Sequence, residues 1–226
     1  EGFSAQRQFT GNAAHELRTP LALMQAQIEL FISEHSGLQP ETAELLDLLQ
    51  EQTERMSRMT KALLEMSELR SVSCGDAVEL GPLSEEVLTD LAPLAEDKDI
   101  TLDCAGDALV IGSDMLLYRL VFNLVENAIR YSRSGSTVNV SISDNDSNVF
   151  LRVKDEGLGI PKQYRESIFQ PFFRLDKSRS RAYGGAGLGL ALVWEIAALH
   201  GGTVEVEESS ENGTVMLVTL SKGATT

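Results

Sequence analysis

The chain has 226 residues and a 42% hydrophobic fraction, enough to fill the core of one large or two ordinary domains. Nineteen Lys and Arg stand against 34 Asp and Glu, a net charge of −15 that argues against nonspecific binding to nucleic acid or to an anionic membrane. Cys74 and Cys104 are the only cysteines. Neither has a CxxC neighbour or a His at metal spacing, so no zinc site or disulfide framework is expected, and a reducing compartment is the simpler reading. No apolar run reaches the length of a membrane span and no signal peptide is visible. The chain opens without Met inside a helical pattern, which reads as a fragment of something longer.

The first predicted element is a helix. Ala14, Leu17, Leu21, Met24, Ile28 and Phe31 step by three and four, a heptad seam. SerGlyLeuGlnPro at 36–40 interrupts it, and a second seam follows at Leu45, Leu49, Gln52, Met56, Met59, Leu63 and Met66. Two long helices with a short break read as an antiparallel hairpin. Two helices bury too little alone, so dimerisation into a four-helix bundle is the economical solution. The first helix carries HisGluLeuArgThrPro at 15–20. A proline inside a helix costs roughly 3 kcal/mol, which suggests that this turn is used. His15 and Glu16 fall between core positions on the outward side, and Thr19 shares the face of His15. Pro20 removes the bond to the Glu16 carbonyl and can bend the helix. An exposed imidazole whose Nδ1–H is held by a carboxylate leaves Nε2 as a nucleophile. Standing alone, the pair would read as a solvated surface histidine.

SerValSerCysGlyAsp at 71–76 is small and polar and suits a linker. Beyond it, 83–96 and 113–132 read as helices, and 137–143 and 149–154 alternate as strands. A helix is expected over 190–199, then a closing hairpin from 202–207 and 214–220 around GluAsnGly. Strands mixed with helices make this half an α+β sandwich, a sheet with helices on one face. Asn123 and Asn127 lie at i and i+4 on one helix face and offer two amide oxygens of the kind Mg2+ accepts. Arg130 and Tyr131 follow one turn on, a cation for phosphate and a ring for a base. AspGluGlyLeuGlyIlePro at 155–161 follows a strand; its glycines permit close backbone approach, and Asp155 can accept from an exocyclic amine. GlyGlyAlaGlyLeuGlyLeu at 184–190 opens the last helix, where glycine amides form a phosphate cradle. The polar segment 174–183 between them reads as a lid over nucleotide, with PhePhe at 172–173 packed at its base.

In this order the motifs resemble the cytoplasmic core of bacterial sensor histidine kinases of two-component systems, from about residue 5 to 221. HisGluLeuArgThrPro (15–20) looks like the phosphoacceptor H box and AsnLeuValGluAsn (123–127) like the N box. AspGluGlyLeuGly (155–159) looks like the G1 box, PheGlnProPhePheArg (169–174) the F box and GlyGlyAlaGlyLeuGly (184–189) the G2 box. The resemblance implies an all-α helical hairpin, a four-helix bundle in the dimer, over 1–72. It implies an α+β sandwich ATP-binding domain of the Bergerat type over 77–226. His15 would be phosphorylated on Nε2 with Glu16 as base, and Thr19 would orient a water for dephosphorylation of the partner regulator. ATP and Mg2+ would be held by Asn123, Asn127, Arg130, Tyr131, Asp155, Gly157, Gly159, Ile160, Arg174, Gly185, Gly187, Leu188 and Gly189, with Asn127 and Asn123 on the metal. The partners implied are a second copy and a response-regulator receiver domain, not nucleic acid, with a membrane reached only through an upstream region. A Bergerat-type ATPase would place a Glu base at the first position of the N box, where this chain has Asn123. A non-catalytic scaffold would be expected to lose the acceptor His, the second Asn or the glycines, yet His15, Asn127, Asp155, Gly187 and Gly189 are all present.

Overall fold

The computed structural model describes residues 2–35, 39–69, 72–175 and 187–222, which fall into a helical unit and an α/β unit. The helical unit is a hairpin of α1 (Gly2–Glu34) and α2 (Pro40–Glu68). α1 runs as one helix through Pro20. The seam predicted on α1 divides into two stripes. Leu21 is 1% exposed and Ile28 half-buried, whereas Leu17, Met24 and Phe31 are 41–46% exposed. On α2, the predicted seam residues Leu45, Leu49, Gln52 and Met56 are exposed and Met59 is half-buried, while Thr53, Thr60 and Leu64 are buried and Ser57 half-buried. Ser57 Oγ donates to Gln25 Oε1 across the hairpin (3.4 Å). The Thr53 and Thr60 hydroxyls turn back onto carbonyls of their own helix, so these small polar residues are buried with their donors satisfied. Leu17, Met24, Phe31, Leu45, Leu49 and Met56 therefore remain on the outside of the single hairpin.

The second unit runs β1 (Asp76–Glu79), α3 (Leu80–Glu96), β2 (Thr101–Ala105), β3 (Leu109–Gly112) and α4 (Asp114–Tyr131). It continues with β4 (Thr137–Asp144), β5 (Asn148–Asp155), α5 (Gly189–Leu199), β6 (Thr203–Ser210) and β7 (Gly213–Ser221). β1 and β3 make a two-stranded antiparallel sheet. The main sheet has five strands in the order β2-β4-β5-β7-β6, with β2 parallel to β4 and the other neighbours antiparallel. β1 begins inside the stretch expected to be a linker, and β2 and β3 were not foreseen. α3 starts at Leu80 rather than 83, with Pro82 in the first turn, where a missing N–H costs nothing.

One face of the sheet is apolar. Val140, Ile142, Val149, Leu151, Val153, Val204, Met216, Val218 and Leu220 are all under 8% exposed and pair across β4, β5, β7 and β6. α4 covers this face with Leu116, Leu117, Leu120, Val121, Leu124, Val125, Ala128 and Ile129, flanked by α3 and α5. The opposite face is more polar, with Arg152 donating to Glu207 from Nε at 2.8 Å. The result is a two-layer sandwich in which α4 is the central helix. Its face turned from the sheet, and the strand ends beside it, are free to build a site.

Candidate functional site: an N box helix between two glycine turns

α4 is fixed at both ends. At its start, the Ser113 N–H donates to His200 Nε2 (3.1 Å), so the ring must carry its proton on Nδ1, which lies 2.8 Å from the Ile196 carbonyl. This buried imidazole ties the beginning of α4 to the end of α5. Gly112 makes room for it, since a Cβ there would lie 2.5 Å from the ring. At the other end, Lys98 Nζ donates to the carbonyls of Ile129 (3.1 Å) and Arg130 (2.6 Å) and caps the helix with a cation.

Between these anchors, the motif residues converge. Asn123 Nδ2 donates to the Arg119 carbonyl (2.7 Å), which turns its Oδ1 toward Gly189. A Cβ on Gly189 would stand 2.9 Å from that oxygen and 3.7 Å from the Asn127 amide. Only glycine lets the first turn of α5 approach both amides so closely. Gly187, at φ +72°, precedes it, and its carbonyl accepts the N–H of Phe172 (2.8 Å). The base of the predicted lid thus meets the start of the glycine turn. Leu188 is buried and Arg174 half-buried.

The other glycine turn meets the C-terminal end of α4. Ser132 bridges Gly157, and a Cβ on Gly157 would lie 2.6 Å from the Tyr131 carbonyl. Asp155 Oδ1 accepts the N–H groups of Gly157 (2.8 Å) and Thr214 (3.2 Å). Burial raises the Asp155 carboxyl above the ordinary carboxylate range, while those two N–H groups pull it back toward ionisation. Among the described residues both of these N–H groups fall on Oδ1 rather than Oδ2. Gly159 holds φ +71° against the end of β6, and the Ile160 N–H donates to Ser209 Oγ (2.7 Å).

Two of the expected residues have neighbours or exposure that spacing did not show. Arg130, expected as a phosphate cation, also pairs through Nη2 with Glu126 at 2.7 Å. Tyr131 is 53% exposed. Thr19 is exposed on α1. The His15 and Glu16 side chains, Gly185 and lid residues 176–186 lie outside the described residues. A depression of about 520 Å³ opens beside Asp155 at the β6–β7 turn. Asn123, Asn127 and Gly189 do not border it, so the motif residues locate the site better than this depression does.

Thr214, Ser209 and Arg165 were not singled out in the sequence. Thr214 had a signal: it is the polar residue on an inward alternation that continues through Met216, Val218 and Leu220. Ser209 and Arg165 had none, because the register that brings them in depends on an irregular strand.

A helix carrying two amides, clasped by two glycine turns beside a half-buried carboxylate, is the arrangement of a nucleotide-binding ATPase fold. Residues 112–224 match the family model of histidine kinase-, DNA gyrase B- and HSP90-like ATPases, and residues 5–72 match the His Kinase A (phospho-acceptor) domain. The chain belongs to the sensor histidine kinases, as the core that joins these two domains. It is 35% identical over 228 residues to sensor histidine kinase RppB of Synechocystis sp., covering 97% of this chain and 50% of that protein. It is 35% identical over 224 residues to the sensor-like histidine kinase SenX3 of Mycolicibacterium smegmatis, covering 96% and 57%. The chain thus spans about half the length of these curated relatives. Its fold is similar to full-length ShkA, solved in complex with AMPPNP, with a TM-score of 0.72 and 24% identity over 96% of this chain and 46% of that one.

Proposed function

We propose that this chain is the catalytic core of a sensor histidine kinase, divided at 1–72 and 77–226. It binds Mg-ATP in the second domain and phosphorylates His15 in the first. The phosphoryl group then passes to an aspartate of a response-regulator receiver domain. The observation that carries the reading is the meeting of Asn123, Asn127 and Gly189 on one side of α4, with Asp155 and Gly157 at its C-terminal end.

Asp155 accepts the exocyclic amine of adenine. The amides at Gly187, Leu188 and Gly189, at the N-terminus of α5, receive the phosphates, where the helix dipole favours negative charge. Gly157, Gly159 and Ile160 let the backbone come close to the base, and Tyr131, Arg130, Arg174 and Gly185 complete the nucleotide contacts. The donor set fits Mg2+: two neutral amides come from successive turns, and the Asn123 nitrogen is already engaged, so its oxygen is the end offered. Bound there with Asn127 as the principal ligand, the ion would neutralise phosphate charge. In the transfer, the lone pair on His15 Nε2 forms the bond to the γ-phosphorus, the bond from phosphorus to the β–γ bridging oxygen breaks, and ADP leaves. Glu16 takes or holds the ring's other proton. Thr19 orients water for the reverse dephosphorylation of the regulator.

The outer stripe of Leu17, Met24, Phe31, Leu45, Leu49 and Met56 supports a homodimer, since exposed apolar seams of this length call for a partner helix pair. We place the core on the cytoplasmic side of a membrane protein through an upstream region. Among the described residues, no helix is long and apolar enough to cross a membrane. Simple ATP hydrolysis is disfavoured because the first N box position is Asn123 and the nearby Glu126 carboxylate is engaged by Arg130. The test is incubation with γ-labelled ATP followed by a panel of receiver domains. The label should be acid-labile and base-stable on the chain and should move to one receiver. Release of free phosphate with no labelled chain would favour the ATPase.

A further inference from the structure

The β6–β7 hairpin has one irregularity, and it falls beside Asp155. Val204 pairs with Val218 and Val206 with Met216 on the helix-covered face. The register then shifts, so that Glu208 pairs with Val215 and Ser209 with Thr214. Side chains alternate along a strand, so without the extra residue Glu208 would stand opposite Thr214. Thr214 is in turn opposite Asp155 on β5. An unshifted hairpin would therefore aim a second carboxylate toward a carboxyl already burdened by burial. The bulge turns Glu208 out to solvent and puts a hydroxyl in its place.

That hydroxyl is wired on both sides. Ser209 Oγ accepts the Ile160 N–H (2.7 Å) and lies 3.0 Å from Thr214 Oγ1. With the Ile160 proton received, the single Ser209 proton is available to Thr214 Oγ1, and the Thr214 proton is then directed away from Ser209. Thr214 is 4% exposed and its N–H already holds Asp155 Oδ1. Arg165 closes the other side of the turn, donating to the carbonyls of Ser209 (2.6 Å) and Ile160 (3.3 Å).

We infer that Ser209 and Arg165 are positioning residues for base recognition, holding the Gly157–Ile160 turn and the Thr214 hydroxyl in register with Asp155. An acceptor beside a donor complements the adenine edge, whose amine donates and whose neighbouring ring nitrogen accepts. The guanine edge offers a carbonyl and an N–H in those places. This rests on the ATP-site reading above.

Calorimetry of the full chain with ATP and ADP, and GTP by displacement, tests it. Ser209→Ala should weaken ATP and ADP by one common factor, on the order of 3- to 10-fold. It should narrow the ATP/GTP ratio and leave the ATP/ADP ratio unchanged. Ser209→Thr, which keeps the hydroxyl, should restore the wild-type ratio. Arg165→Lys leaves the hydroxyl chain in place and should shift ATP and ADP together by less. A merely structural role would lower the nucleotide-free unfolding midpoint without moving the ATP/GTP ratio. Wild-type binding of ATP with an unchanged ratio in Ser209→Ala overturns this inference alone. A wild-type chain that binds no ATP overturns the nucleotide-site reading, and this inference with it.

Discussion

Asp155 meets two opposed requirements. The adenine contact proposed for it calls for its charge, and burial penalises that charge. The folded chain holds the Asp155 proton more tightly than the unfolded chain, so its contribution to stability falls as pH rises from the ordinary carboxylate value through the raised one. Asp155→Asn keeps an oxygen for the Gly157 and Thr214 N–H groups and removes the buried charge. It should raise the thermal midpoint of the nucleotide-free chain at pH 7, and the gain should shrink as the pH falls through the raised pKa of Asp155 and vanish below the ordinary carboxylate value. The same change should weaken ATP roughly tenfold or more, because a hydrogen bond to a charged acceptor contributes about 1.5–3 kcal/mol. Melting curves across pH and ATP titrations on one preparation check both halves. Asn127→Ala tests the metal ligand: Mg-dependent ATP affinity should be lost, while any residual magnesium-free binding persists. Unchanged Mg-ATP affinity by calorimetry would remove Asn127 from the metal. At this scale the motif residues were legible, because i and i+4 spacing puts Asn123 and Asn127 on one face and glycine marks close approach. The Glu126–Arg130 pair has the same i and i+4 spacing and was open to the same reading, whereas the Ser209–Thr214 pair was not legible, since it depends on the register shift in β6.

Among the elements, the long ones announced themselves and the short ones did not. α4 and β4 to β7 carry enough periods for alternation or helical spacing to be read. β1 and β3 have four residues each and β2 has five, too few for a pattern, and β2 finds its parallel partner only through residues more than thirty positions away. The hairpin seams were visible, but the division of labour within them was not. A heptad pattern gives the apolar face without saying which half meets the neighbour in the same chain. Here Leu21 and Ile28 turn inward with small polar residues of α2, and the bulkier stripe faces out. Met24→Glu together with Leu49→Glu should therefore convert a dimer into a monomer in sedimentation experiments while circular dichroism of the second domain is kept. At the end of α4, Lys98 replaces water on two carbonyls. Lys98→Met should cost about 1 kcal/mol and lower the unfolding midpoint by roughly 2–4 °C.

For the whole molecule, the division into a helical unit bearing His15 and an α/β unit bearing Asn123, Asn127 and Asp155 puts the proposed acceptor and the proposed nucleotide residues in different units. The two activities assigned to the α1 face should then be separable. Thr19→Ala should reduce regulator dephosphorylation by a factor on the order of 10, through lost positioning of water, and leave His15 labelling nearly unchanged. A parallel loss of both rates would mean that the substitution merely distorts the turn before Pro20. The central claim is that the nucleotide site in one domain phosphorylates His15 in the other, and the most direct measurement compares the intact chain with His15→Gln under γ-labelled ATP. The wild type should acquire one acid-labile, base-stable label, and the variant none, while calorimetry finds the same Mg-ATP affinity in both. Label retained by His15→Gln would contradict the account.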